Sequence, residues 1–279
     1  MASSRNTPTG SCARSRATAP IARPTEPAPI PLLEFDPRRV AIIEPSRVIR
    51  PIDIAEHCVL CFFQEVIREL VSGGATTRHV HTGRSEAGDY PVYEIDYGGR
   101  RLAVVSPGVG GPAAAARMEL MIALGCRKFI ACGGAGTLDS GIAAGQIVVP
   151  DCAVRDEGTS FHYLKPSREV APTPGALAAI EAVLRENNHE YIRGKTWSTD
   201  AVYRETRVRM NRRRREGCVV VEMEAAAFFA VARFRRVQCA QILYGGDSLA
   251  GRRWDSRNWN RNAMRERLFH LAAEACLRL

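Results

Sequence analysis

From Leu32 to Leu279 the chain alternates short apolar runs with segments of helical periodicity, and glycine clusters stand at the junctions. Strands alternating with helices make an α/β architecture. Leu102–Ser106 predicts a strand, Pro112–Leu124 a helix with proline in its first turn, and Lys128–Cys132 the next strand, together a βαβ unit. Gln146–Pro150 predicts another strand. Gly175–Asn187 predicts a helix with Ala176, Leu177, Ile180, Val183 and Leu184 on one face. The strand Cys218–Met223 runs into the small-residue helix Ala225–Phe234, Val237–Tyr244 reads as a buried strand, and Asn262–Leu279 as a closing amphipathic helix.

Composition narrows the function classes. The 279 residues are 46% hydrophobic and 25% charged, as in a globular protein. No apolar run reaches the roughly 18 residues of a membrane span, so no membrane partner is expected. The net charge of +9 is almost all arginine, the only lysines being Lys128, Lys165 and Lys195. Much of it lies near the N-terminus and in the Arg212–Arg215 run, which reads as a solvated face, so nucleic acid is not an expected partner. Nine cysteines, an odd number, lie scattered; Cys132, Cys218 and Cys239 sit in strand-like runs as small hydrophobes. That usage suits a reducing, cytoplasmic setting. Cys58 and Cys61 form a C-x-x-C pair, but no second pair or nearby histidine completes a zinc set, so no metal site is expected. Met1–Pro31, rich in Pro, Ser, Thr, Ala and Arg, reads as a disordered extension, with a transit peptide as the alternative; Leu32–Leu279 reads as one domain.

Four motifs carry chemistry. Gly108-Val109-Gly110-Gly111-Pro112 follows a strand and opens a helix, where backbone N–H groups favour an anion. A tight structural turn explains it equally. Gly133-Gly134-Ala135-Gly136-Thr137 stands at a second strand end, the place where open α/β sheets bind ligands. Glu222 and Glu224 flank Met223: the acids suit a helix N-terminus, or one of them accepts the two hydroxyls of a vicinal diol. Asp247 follows an apolar strand, where partial desolvation makes a general acid, or where it serves as a turn aspartate.

Gly-x-Gly-Gly-Pro, Gly-Gly-Ala-Gly, Val-Glu-Met-Glu-Ala and the downstream Gly-Asp occur in order over Val40–Ala250. Together they resemble the nucleoside phosphorylase/nucleosidase superfamily, which includes uridine phosphorylase, hexameric purine nucleoside phosphorylase and methylthioadenosine nucleosidase. The resemblance implies a three-layer fold with a central mixed twisted sheet flanked by helices. It also implies that Met223 packs on ribose, Glu224 binds its 2′- and 3′-hydroxyls, Glu222 supports the sugar site and Asp247 protonates a purine. By contrast, Arg155–His162 resembles the uridine branch, so the base stays open. Ile42–Val48 is similar to the family's phosphate loop, with Arg47 as the phosphate arginine and Ile43 replacing a glycine. Arg84 resembles the arginine lent by a neighbouring subunit, which implies a homo-oligomer, a dimer or a trimer of dimers. Gly110 and Gly134 fall at phosphate positions. Ala131 stands where the family has a third phosphate arginine. Val202 and Tyr203 fall where base-stacking residues lie, and Phe161, with His162 and Tyr163, is a further base-lining candidate.

The reaction so implied is phosphorolysis of a nucleoside. Inorganic phosphate is the co-substrate, and neither metal nor redox cofactor is required. Losing one charged contact to phosphate costs about 1.5–3 kcal/mol. Phosphate-independent hydrolysis is therefore the alternative, and a non-catalytic nucleoside sensor the second.

Overall fold

The computed structural model describes residues 30–73, 77–258 and 262–279. The expected extension Met1–Pro31 lies outside them except for its last two residues, and Pro31 already belongs to a 3-10 turn, Pro31–Leu33. Ten strands follow: β1 (His57–Cys61), β2 (Thr77–Ser85), β3 (Gly88–Tyr97), β4 (Arg100–Val105), β5 (Lys128–Thr137), β6 (Ile147–Asp156), β7 (Glu169–Val170), β8 (Tyr191–Thr199), β9 (Cys218–Glu222) and β10 (Gln238–Ser248). The helices are α1 (Pro45–Val48), α2 (Gln64–Ser72), α3 (Gly111–Leu124), α4 (Pro174–Glu186), α5 (Arg207–Arg215), α6 (Ala225–Arg235) and α7 (Asn262–Leu277).

The strands form one mixed sheet in the order β2-β3-β4-β1-β5-β9-β8-β6-β10, and β10 also pairs with β5, so half of the sheet closes on itself. β4, β1, β5 and β10 run parallel, while β9 is antiparallel to β5. All five residues of β1 are buried, as expected of a parallel strand covered on both faces. One face packs on α2, α4 and α7 through Val66, Ile180 and Phe269. The other packs on α3 and α6 through Met118, Phe228 and Phe229. The three-layer expectation therefore holds. Helix α6 is buried from Ala225 to Ala232, which explains why its sequence is apolar all round rather than on one stripe.

Several elements differ from the sequence expectations. The βαβ unit exists, but β1 lies between its two strands. β5 does not end at Cys132; it continues through the glycines to Thr137, because β10 pairs with Gly133–Ala135 and Thr137 while β9 takes Gly136. That pairing overrides the weak strand propensity of glycine. β10 likewise reaches Ser248 and carries Asp247 inside the strand. The β2–β3 hairpin was not legible, since β2 is polar and mostly solvent-facing. Within Arg212–Arg215, Arg213 is buried rather than solvated: Asp156 and Glu216 hold its guanidinium at 2.8 and 3.0 Å.

Candidate active site

β5 is paired by β1 only as far as Cys132 and by β9 only from Gly136. Among the described residues, no strand covers Gly133–Ala135 on that side. A cavity of about 340 Å³ opens at this gap, where a parallel neighbour stops and an antiparallel one begins. The sheet thus leaves backbone polar groups unpaired beside a crevice, the usual place for a ligand in an α/β protein. The crevice is lined by Gly133–Gly136, Val109, Val202, Glu205, Val221–Glu224 and Asp247. A Cβ on Gly134 would meet the Tyr244 ring at 3.3 Å, so a larger residue there would crowd the wall.

The two glutamates have different tasks. β8 and β9 run parallel with Ser198 opposite Glu222. Glu222 Oε1 accepts from Ser198 Oγ at 2.6 Å and Thr196 Oγ1 at 3.1 Å. Its Oε2 accepts the N–H groups of Glu224 at 2.8 Å and Ala225 at 2.6 Å, satisfying the start of α6. Burial pushes its carboxyl up, opposed by those four donors. With its oxygens engaged by the chain itself, Glu222 supports the site as a cap. Glu224 instead reaches the border of the crevice. Its Oε1 accepts the Gly110 N–H at 2.5 Å and its Oε2 the Met223 N–H at 3.2 Å. Burial, reinforced by the Glu222 charge, pushes the Glu224 carboxyl up to about 8. Gly110 presents its N–H from a backbone at φ +89°, a left-handed conformation natural to glycine. Asp247, also in the crevice lining, accepts the Trp254 indole N–H on its Oδ2 at 2.6 Å.

A family model described as the Phosphorylase superfamily matches residues 56–278. The chain belongs to the Phosphorylase superfamily. It is 30% identical over 164 residues to guanosine phosphorylase of Halorubrum lacusprofundi, 58% of this chain and 68% of that protein. It is 32% identical over 155 residues to uridine phosphorylase of Thermococcus kodakarensis, 55% of this chain and 54% of that protein, so it spans about half the length of that relative. Its fold is that of the Vibrio fischeri uridine phosphorylase crystal structure, with a TM-score of 0.69 and 21% identity, covering 85% of this chain and 98% of that one.

In this superfamily member, Glu222, Met223, Glu224, Gly134, Asp247 and Val202 share the crevice, with Gly110 bonded to Glu224 at its border. Four other expected residues stand apart. Arg47 projects from α1 into solvent. Arg84 is 81% exposed on β2, with Asp89 at 3.6 Å. Phe161 lies under the Arg155 guanidinium, 4.1 Å from its ring centroid, because Arg155 is fixed by Ser160, Lys165 and Ser167. Tyr203 is 97% exposed and borders an adjoining cavity with Trp254. His162 and Tyr163 line a separate cavity of about 770 Å³ beneath the segment that carries α1.

Two lining residues escaped the sequence reading. Arg265, from α7, stacks 4.8 Å over Phe63 and pairs with Glu65 at 2.8 Å. Glu205 follows the 3-10 turn Val202–Arg204, in an arginine-rich stretch whose composition matches a solvated loop. Burial, and next the Asp247 charge, pushes its carboxyl up to about 7, against the pull of Arg209.

Proposed function

We propose that the chain is a nucleoside phosphorylase: it cleaves the N-glycosidic bond of a nucleoside with phosphate, giving free base and ribose 1-phosphate. One observation carries this reading. A buried carboxyl, Glu224, holds the Gly110 N–H at the border of a crevice that a second acid, Asp247, also lines. A riboside laid there sets its 2′- and 3′-hydroxyls on Glu224, the sugar face on Met223 and the base toward Asp247 and Val202. Glu222 acts through Glu224 by fixing the turn between β9 and α6. When the diol displaces Gly110 from Glu224, that N–H is released to an anion at the start of α3, beside Gly134. Phosphate then attacks the anomeric carbon as the bond to the base lengthens, through an oxocarbenium-like transition state. Holding the partners in register contributes several kcal/mol to the rate. The scheme uses no metal and no redox cofactor.

An exposed apolar surface supports a homo-oligomer, and unpaired cysteines support a cytoplasmic setting. Ile42 and Ile43 are fully or largely exposed on the segment before α1, an apolar surface suited to a second copy. The eight described cysteines are unpaired. No described helix is long and apolar enough to cross a membrane.

Hydrolysis is the second reading, because Arg47 and Arg84 lie off the crevice and residue 131 is alanine. A nucleoside panel decides between them. With phosphate present, base and ribose 1-phosphate are expected; without it, base release should fall at least about 100-fold, the scale lost with a co-substrate's positioning. Base release at the same rate in both conditions makes the protein a hydrolase. Binding with no release makes it a sensor.

A further inference from the structure

We propose that Glu205, beside Asp247 in the crevice wall, carries the proton taken by the departing base, and that the substrate is accordingly a purine riboside. The inference rests on the phosphorolysis reading. Glu205 and Asp247 together line the riboside crevice and also the adjoining cavity of about 580 Å³. They therefore stand in the wall between the two, one side toward substrate and the other toward Trp254 and Tyr203 at the surface.

Their surroundings set the two acids apart. Asp247 Oδ2 accepts the Trp254 N–H at 2.6 Å, so that carboxyl is already engaged by a donor. No donor among the described residues bonds the Glu205 carboxyl, which is half-buried and faces the Asp247 charge. The cations nearby are committed elsewhere. Arg209, on α5, gives a guanidinium N–H to Asp156 at 2.6 Å, and Arg207, also on α5, gives one to the Leu249 carbonyl at 2.9 Å. Burial and Asp247 push Glu205 up to about 7, so it holds a transferable proton near neutrality.

The step balances without a further reagent. The Glu205 O–H proton moves to a ring nitrogen of the purine. The bond from that base to C1′ breaks with its electron pair going to the base, and a phosphate oxygen forms the new bond to C1′. Glu205, left as carboxylate, regains a proton from water through the outer cavity. A uracil base offers no comparable ring nitrogen for protonation, and for this reason the acid points to a purine.

The test compares guanosine with 7-methylguanosine, whose base is already cationic and leaves without a proton. E205Q should lower kcat for guanosine roughly 100-fold, the low end of general acid catalysis, and change 7-methylguanosine turnover less than about 3-fold. Wild-type kcat for guanosine should fall as pH rises through about 7, and this limb should be absent for 7-methylguanosine, a check that needs no variant. D247N should move the limb to lower pH, because the charge that raises Glu205 is gone. Equal losses on both substrates in E205Q, or a limb common to both substrates in wild type, overturn the assignment while leaving phosphorolysis intact. A wild-type protein that releases base from neither substrate removes the parent reading and the acid together.

Discussion

At the residue scale, the crevice depends on a carboxyl kept where a carboxyl is unstable. Glu224 is buried beside Glu222, and its folded-state value of about 8 lies far above that of an exposed glutamate. A raised carboxyl contributes its full share of stability below the unfolded value, near 4.5, and loses it as pH rises through about 8. Wild-type melting temperature should therefore fall between about pH 5 and pH 8, and E224Q, which carries no charge, should flatten that slope. The same variant should melt higher than wild type at pH 8 while losing most nucleoside turnover. An E224Q melting profile parallel to wild type would show that Glu224 is not the group holding the proton. Glu222 differs because four donors saturate it, so its contribution is to the turn that aims Glu224.

At the scale of elements, one side chain joins α3 and α6 to the segment before β1. Arg235, at the end of α6, gives its guanidinium to Glu119 of α3 at 2.9 Å and to Glu44, just before α1, at 3.1 Å. Burial raises the Glu119 carboxyl even with Arg235 in place. R235A leaves a buried carboxylate without its partner, which costs about 3 kcal/mol. It also frees Glu44 and the stretch that holds Arg47. Trypsin should then cut at Arg38 and Arg39 several-fold faster than in wild type, well below the melting transition. Unchanged cleavage would mean that the apolar contacts of Ile49 and Pro45, rather than Arg235, hold the segment. The Gly133–Ala135 stretch makes a related point: its role comes from where β1 stops and β9 starts, two ends set by different parts of the chain.

At the scale of the whole molecule, phosphate must find its charge from somewhere. Among the described residues lining the crevice, Arg265 is the cation, and Glu65 already holds it at 2.8 Å. Arg84, exposed on the outer hairpin and paired with the likewise solvent-facing Asp89 at 3.6 Å, is placed to serve a second copy. R84A should raise KM for phosphate roughly 10-fold, about what one charged hydrogen bond contributes, and leave KM for the nucleoside unchanged. Light scattering should show a dimer or larger. A monomer with full activity, or an unaltered phosphate KM, would take Arg84 out of the site. The proposed assembly would also cover Ile42, which is fully exposed beside an open cavity of about 770 Å³.

The alternation of apolar and periodic segments determined the α/β class, because burial on one face or both writes itself into residue order. That Glu224, Met223 and Asp247 are worth bringing to one site was legible for a similar reason: an acid beside an apolar strand end is conspicuous, and all three line the same crevice. Residues 133–137 read as a turn and Phe161 as a pocket wall, since local propensity cannot report that β10 extends β5 or that Arg155 captures a ring. Glu205 was invisible among arginines. Only tertiary structure decided that it stands beside Asp247, because an acid's proton affinity depends on what is packed around it, and those neighbours come from β10 and α5, elements distant in the chain or turned away in the sequence pattern.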